Sequence, residues 1–166
     1  MPRKQNDSFL TAQDINDAID LVTPSILAGM KSGRFKRKIV AVEVQIEDYA
    51  ELTVTRWIKL EENLQIDRRF SRIAARKTDL AMRTHQSTGI VVNEFPHLLT
   101  KYDPIYRGGV YEAGIAVGVS AFKAYHDHMV ALWILDAIVG IAREKFDQLQ
   151  ATGGDFIHEC KAALGQ

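Results

Sequence analysis

The chain has 166 residues, of which 46% are hydrophobic and 25% are charged, and its 21 basic residues balance its 21 acidic ones. This composition is typical of one soluble globular domain, and the balanced charge argues against nucleic-acid and anionic-membrane partners, which need a basic excess. Cys160 is the single cysteine, so an intrachain disulfide is excluded and the residue is interpreted as a small buried hydrophobe.

The N-terminal residues are polar and have no apolar stretch of the kind that signal peptides carry. Residues 1–9 are predicted to be a disordered leader and residues 10–166 a single domain, in the cytoplasm. The longest apolar run, Met129–Ala142, has 14 residues and contains Asp136. It is shorter than the roughly 18 residues of a membrane span.

The first predicted helix begins at Thr11, which can cap the helix together with Asp14 three residues later. Apolar residues then recur at intervals of three and four as far as Gly33, a spacing that predicts one buried face. Pro24 interrupts this segment and is expected to kink or split the helix, because proline lacks the backbone N–H that an interior position donates.

Residues 38–46 and 51–59 alternate between apolar and polar with period two, which predicts an antiparallel hairpin. Arg56 breaks the apolar face of the second strand. Its position indicates either a bulge or rim site, which is the favoured interpretation, or a side chain that points into a cavity.

A second helix is predicted over residues 67–85, with Lys77 on its apolar face. A row of arginines occupies most of the other face: Arg68, Arg69, Arg72, Arg76 and Arg83. Because the total charge is neutral, a solvated face or a subunit contact is favoured over a nucleic-acid patch. Gly89 is expected to end this helix, and residues 90–92 to form a short strand or an extended link.

Residues 107–111 and 114–120 are predicted to form a second hairpin, and residues 122–149 a long helix. That helix is apolar nearly all round, so we expect it to be covered on more than one side, by a second copy of the chain in a homo-oligomer. Asp136 within it is expected either to pair across that contact, which is favoured, or to belong to a site. The order of elements predicts an α+β fold with an antiparallel sheet packed by helices.

Chemistry-bearing residues cluster where the long helix begins. His126 and His128 are two residues apart on a helix and point in opposite directions, which argues against a shared metal. His126 is either an axial ligand or proton carrier or, as favoured, an ordinary histidine. The helix dipole alone explains Asp127, and Ser120 suits a helix cap better than a nucleophile. No Gly-rich phosphate loop or Cys/His metal pattern is present, which argues against nucleotide and structural-zinc functions.

The stretch 116–120, with Gly108-Gly109 before it and Asp127 after it, resembles the "GG…GAIGVSG…QDE…A" signature of the GlcG/HbpS-like (DUF336) haem-binding-type family. Residues 73–81 are similar to that family's "IA..KA.TA" helix. The chain departs from the family pattern at four places. Residues 44–49 differ from the family's turn, and residues 56–60 keep only the arginine of "RMDGA". The hairpin at Gly108-Gly109 is shortened and lacks the usual proline, and Ala121 replaces the last glycine of the signature.

The resemblance implies a profilin-like antiparallel sheet of about five strands packed by helices, a homo-oligomer, and the binding of a small molecule. Haem or a related tetrapyrrole is the cofactor that it suggests. It implies Gly109 and Ser120 as backbone or hydroxyl contacts, Arg56 and Lys77 as partners of a ligand carboxylate, and His126 with Asp127 at the pocket rim.

Three functions remain open from the sequence. The first is a small-ligand-binding protein of the GlcG/HbpS type. The second is an enzyme acting on a small hydroxy or keto acid, with His126 or Asp127 as acid or base and Arg56 or Lys77 as the anion clamp. The third is an assembly or regulatory protein whose pocket is vestigial, which the departures at residues 45–49 and 58–60 favour.

Overall fold

The structure is a computed structural model and describes residues 8–165. Its sheet consists of β1 (Ile39–Ile46), β2 (Tyr49–Lys59), β3 (Gly109–Glu112) and β4 (Ile115–Ser120). Its α-helices are α1 (Ala12–Lys31), α2 (Arg68–Thr84), α3 (Thr88–Glu94), α4 (Ala124–Gln150) and α5 (Ile157–Ala163), and a 3₁₀ turn spans Pro96–Leu98. The strands are antiparallel in the order β2-β1-β4-β3, with α2 on one face and α1 and α4 on the other.

The α+β class with one antiparallel sheet packed by helices is confirmed, but the sheet has four strands instead of about five. Residues 90–92, predicted as a strand or link, lie inside α3. The apolar run 90–92 has only three residues, which is too short to show the period of a helix or a strand. Helix α2 ends at Thr84 and is capped by His85, whose φ of 53° is left-handed. Gly89 lies within α3 and does not end α2. The profilin-like arrangement stays a prediction.

Helix α1 begins as the sequence predicts. The Thr11 hydroxyl accepts from the Asp14 N–H at 3.2 Å, and the Asp14 carboxylate accepts from the Thr11 N–H at 2.7 Å. Pro24 does not split the helix, which continues to Lys31. One lost hydrogen bond is outweighed here by packing, because Ile15, Ile19 and Ile26 are completely buried along the helix.

The first hairpin is confirmed, with Val44 opposite Val54 and Ile39 opposite Lys59. Its register shifts between Gln45 and Ile46, so the irregularity lies beside the turn and not at Arg56. The second hairpin is also confirmed, from Gly109 opposite Gly118 to Glu112 opposite Ile115. The inward side chains of both hairpins join α1 and α4 in one hydrophobic core.

Within residues 8–165, helix α4 is covered on one side only. Val130, Ala131, Ile134, Leu135 and Ile138 are buried against the core. The outer side carries Tyr125, 55% exposed, and Leu132, 39% exposed, and Asp136 is exposed as well. The described part of the chain therefore does not supply the second cover expected for this helix, and self-association through residues 122–149 stays a prediction.

The ends of the chain relate to two further expectations. The predicted leader falls mainly on residues 1–7, outside the described residues, whereas Ser8 is buried and Phe9 packs against the core. Among residues 8–165, no helix combines the length and hydrophobicity that crossing a membrane requires. The cytoplasmic location stays a prediction.

Candidate functional site

A buried ion pair lies at the end of the sheet where β4 leads into α4. Lys77 of α2 meets Asp127 of α4, with 2.9 Å between Nζ and Oδ2, and the two side chains are only 2% and 4% exposed. The Lys77 ammonium also donates to the Val119 carbonyl oxygen at 2.7 Å. The pair therefore connects α2 and α4, which pack on opposite faces of the sheet, to the end of β4.

The second oxygen of Asp127 holds the connection between β4 and α4. Oδ1 accepts from the Phe122 N–H at 2.9 Å. Ala121 has a φ of 150°, a conformation that residues with a Cβ rarely adopt. Asp127 thus acts as the clamp of a strained strand-to-helix turn, beyond the helix-dipole role expected from sequence.

Burial dominates the electrostatics of this pair. It raises the pKa of Asp127 from 3.8 to about 6, although Lys77 and the backbone donors favour the charged carboxylate. Burial likewise lowers the pKa of Lys77, against the attraction of Asp127. Because the native state holds the Asp127 proton more tightly than the unfolded state does, the contribution of Asp127 to stability falls as the pH rises from about 4 to about 6.

Gly108 allows the pair to form beside the start of β3. Its φ is 118°, and a Cβ at this position would lie 2.7 Å from the Lys77 ammonium and 2.7 Å from the Asp127 Cβ. The Val119 carbonyl oxygen would be 2.9 Å away and belongs to the backbone, so it cannot move aside. Both the backbone conformation and the space at Gly108 therefore require glycine.

The pair lies at an open pocket of about 530 Å³. Besides Lys77, three cationic side chains line it, namely Arg37, Arg69 and Lys123. Among the described residues, none of the three has a carboxylate oxygen within 4.0 Å. Aromatic rings lie beside them, with the Arg37 guanidinium 5.6 Å from the centre of the Phe70 ring. The pocket thus combines uncompensated positive charge with apolar walls.

Three of the six predicted site residues line this pocket: Lys77, Ser120 and Asp127. Gly109 lies behind it, because its N–H donates to the Thr88 hydroxyl at 3.0 Å and is not free for a ligand. A Cβ on Gly109 would lie 2.5 Å from the Thr88 methyl group. The structure therefore gives Gly109 a packing role in place of the expected ligand contact.

The other two predicted residues are placed elsewhere. His126 is not among the pocket-lining residues, and its ring packs edge-on against Phe35, with 5.0 Å between ring centres. Its Nδ1 is buried and has no hydrogen-bond partner among residues 8–165. Arg56 donates to Asn16 at 2.7 Å and to Asp20 at 2.9 Å, both on α1. It therefore lies on the sheet face that is opposite α2 and Lys77.

Sequence reasoning found Lys77 but missed the pocket's other three cations. Arg69 belongs to the arginine row of α2, for which the neutral total charge favours a solvated face or a subunit contact. Arg37 precedes β1, and Lys123 precedes α4. Their signal was weak, because a loop residue has no periodicity that places it near a residue distant in the chain.

No known family model matches the sequence, and no curated protein matches it. The fold is similar to the crystal structure of Klebsiella pneumoniae protein ORFY, of family DUF336, with a TM-score of 0.53 and 18% identity over 80% of this chain and 90% of ORFY. The Ybr137w protein is similar at a TM-score of 0.54 and 16% identity, over 80% of this chain and 78% of that one. These likenesses confirm the expected DUF336-like resemblance at the level of the fold.

Proposed function

Starting from this DUF336-like fold, we propose that the chain binds a small organic anion in the pocket beside Lys77 and Asp127. The unbalanced charge of the pocket supports the proposal. Arg37, Arg69 and Lys123 line it without carboxylate partners among the described residues, whereas Asp127 is already paired with Lys77. Arginine is well suited to such a role, because its planar guanidinium binds carboxylate and phosphate groups through two parallel hydrogen bonds.

The remaining walls indicate what else the ligand carries. The volume of about 530 Å³ lies within the range of small-molecule sites, about 300–1,000 Å³. Phe70, Phe122 and Tyr106 supply apolar surface, and Ser120 supplies a hydroxyl that can donate or accept. A ligand with one or two anionic groups on an apolar or flat body matches this set of side chains.

Haem or a related tetrapyrrole is one specific form of this proposal. The arginines of the pocket fit its carboxylate groups, but haem iron also takes an axial ligand from the protein. No histidine, cysteine or methionine lines the pocket among the described residues, whereas Tyr106 and Tyr125 do, and a tyrosine can also ligate haem iron. The pocket therefore fits a carboxylate-bearing ligand and does not supply an imidazole for iron.

Removing a pocket arginine tests the proposal. Arg37→Gln and Arg69→Gln are each expected to weaken anion binding by about tenfold or more, because a hydrogen bond to a charged group contributes about 1.5–3 kcal/mol. Binding is measured by calorimetry with phosphate and a panel of hydroxy and keto acids, and by absorbance with haemin. Arg56→Gln is the matched control, since it removes the same charge on the opposite face of the sheet. Binding of none of these probes, or equal weakening by Arg56→Gln, contradicts the proposal.

Anion binding is also expected to depend on pH. Protonation of Asp127, whose pKa is about 6, removes a negative charge from the pocket, so affinity should rise as the pH falls from about 7.5 to about 5. A bound anion disfavours the charged Asp127 carboxylate and so raises its pKa. If the rise is half a unit to one unit, the ligand binds about three- to tenfold more tightly at the lower pH. Sulfate is a suitable probe because its charge is constant over this range. Asp127→Asn should flatten the profile, and an unchanged slope in that variant would exclude Asp127 as its origin.

A second candidate function is an enzyme acting on a small hydroxy or keto acid. The raised pKa of Asp127 favours it, because general acid–base groups work best near the operating pH. His126 does not line the pocket, so the acid–base role falls to Asp127 alone. Turnover of the same acids, followed by NMR, tests this candidate, and a panel that returns unchanged removes its support.

A further inference from the structure

Strand β2 lies at an open edge of the sheet, where alternate backbone N–H and C=O groups face away from β1. It is the outermost strand of the sheet on its side and has 11 residues. At the end of the hairpin, the Leu60 N–H donates to the Lys38 carbonyl oxygen at 2.8 Å. Bonding to β1 alternates along an antiparallel strand, so the odd-numbered residues Thr55 and Lys59 direct their N–H and C=O groups away from β1.

No other element of the described chain pairs with this edge. The ladder to β1 is regular over residues 53–59, and Glu51 lies beside the register shift near the turn. Exposed and buried side chains still alternate from Glu51 to Thr55, both of which are exposed, and no proline interrupts residues 49–59. Natural proteins usually shorten, cover or break such an edge, because a long open strand is a template for another strand. The length and openness of β2 therefore point to a strand partner.

We propose that β2 pairs with β2 of a second copy of this chain, antiparallel across a two-fold axis, to form a continuous eight-stranded sheet. Thr55 lies on the axis and pairs with its own counterpart through outward backbone groups. In this register Glu51 of each copy lies opposite Lys59 of the other. Two opposite-charge pairs therefore form, one on each side of the axis.

Charge complementarity selects this register over its neighbours. A shift of the partner by two residues in one direction places Glu51 opposite Trp57, and a shift in the other direction places Arg56 opposite its own counterpart. The first loses both charge pairs, and the second brings like charges together. The Lys59 ammonium donates to the Glu62 carbonyl oxygen at 3.2 Å, which leaves two further donors for Glu51. Because Glu51 and Lys59 are equally spaced on either side of Thr55, the strand is complementary in charge to a second copy of itself. For this reason the proposed partner is a second copy of the chain.

Charge reversal tests the register. Glu51→Lys and Lys59→Glu are each expected to weaken the dimer by about tenfold or more, because each substitution turns both pairs into like-charge pairs. The double variant Glu51→Lys/Lys59→Glu is expected to return to within about threefold of the wild-type dissociation constant, because the pairs are restored in reverse. Sedimentation equilibrium measures all four proteins, with circular dichroism as the control for folding.

A cysteine on the axis tests the geometry independently. Hydrogen-bonded antiparallel pairs have Cα atoms about 5.5 Å apart, within the range of a disulfide. Thr55→Cys is therefore expected to form a covalent dimer when oxidised glutathione accepts the electrons of the two thiols. Glu51→Cys is the matched control. It lies on the same strand but far from its own counterpart, so it should not form a covalent dimer. The native Cys160 is only 5% exposed and is common to both variants.

Three results overturn the proposal. The first is a wild-type protein that stays monomeric up to millimolar concentration. The second is a dimer that ignores both single charge reversals and dissociates with Leu132→Asp on α4 instead, which would place the contact on that helix. The third is equal cross-linking of Thr55→Cys and Glu51→Cys. If a charge-reversal variant does not fold, the cysteine pair decides the question by itself.

Discussion

Lys77→Met is expected to lower the free energy of unfolding by about 3–5 kcal/mol near neutral pH, because it leaves the Asp127 carboxylate buried without a counter-charge. Methionine keeps most of the length and volume of the side chain, so the loss comes from the charge and not from a cavity. For a chain of this size, the melting temperature should fall by about 10 °C or more. Urea unfolding, followed by circular dichroism, measures the change.

Arg76→Met is the matched control for this experiment, since it removes a positive charge one residue earlier on an exposed part of α2. Its effect should stay within about 0.5 kcal/mol. The loss in Lys77→Met should also shrink near pH 5, where Asp127, with a pKa of about 6, is protonated. An equal, small effect of both substitutions would mean that the ion pair contributes no more than a surface charge does.

Gly118→Ala is expected to destabilise the protein by about 3 kcal/mol, because β4 and α2 approach each other at this residue without room for a methyl group. A Cβ on Gly118 would overlap the Ala74 carbonyl oxygen and the Thr78 hydroxyl, and would lie 2.9 Å from the Thr78 nitrogen. Two of these atoms belong to the helix backbone. The helix must therefore shift away from the sheet, which also displaces Lys77 one residue before Thr78.

Gly140→Ala should change the stability of the protein in the opposite direction to Gly118→Ala. Apart from the helix's own backbone, no described residue lies within 4 Å of a Cβ at Gly140, which is in the interior of α4. Alanine loses less backbone freedom on folding than glycine, so this variant should be more stable by about 0.5–1 kcal/mol. Thermal unfolding of both variants compares them directly. Destabilisation by Gly140→Ala would show that the outer face of α4 is covered in solution, and a neutral Gly118→Ala would contradict the close packing of α2 on β4.

The fold was predicted well where the signal was local. The alternation in residues 38–46 and 51–59 predicted β1 and β2, since successive side chains of a strand face opposite sides. The Thr11 and Asp14 pair predicted the start of α1, because a capping box needs only four residues. The segment 90–92 was mispredicted as a strand or link, because three residues show no period and the helix that includes them depends on the turn at His85.

The candidate site was predicted only in part. Lys77 and Arg56 looked alike in the sequence, each a basic residue on an apolar face, and both were assigned to a ligand carboxylate. The fold separates them, because α2 and α1 pack on opposite faces of the sheet and Arg56 faces α1. Lys77 instead meets Asp127, fifty residues later in the chain.

The sequence by itself determined α1, α2, α4 and the two hairpins, because periodicity and turn chemistry act within a few residues. The likeness to a DUF336 fold came from the resemblance of its motifs to that family. Only the tertiary structure decided that Lys77 is buried against Asp127, that Arg37, Arg69 and Lys123 share a pocket, and that β2 is left at the edge. These features depend on which helix covers which face of the sheet. That choice is made by packing among segments that are distant in the chain, and no local pattern encodes it.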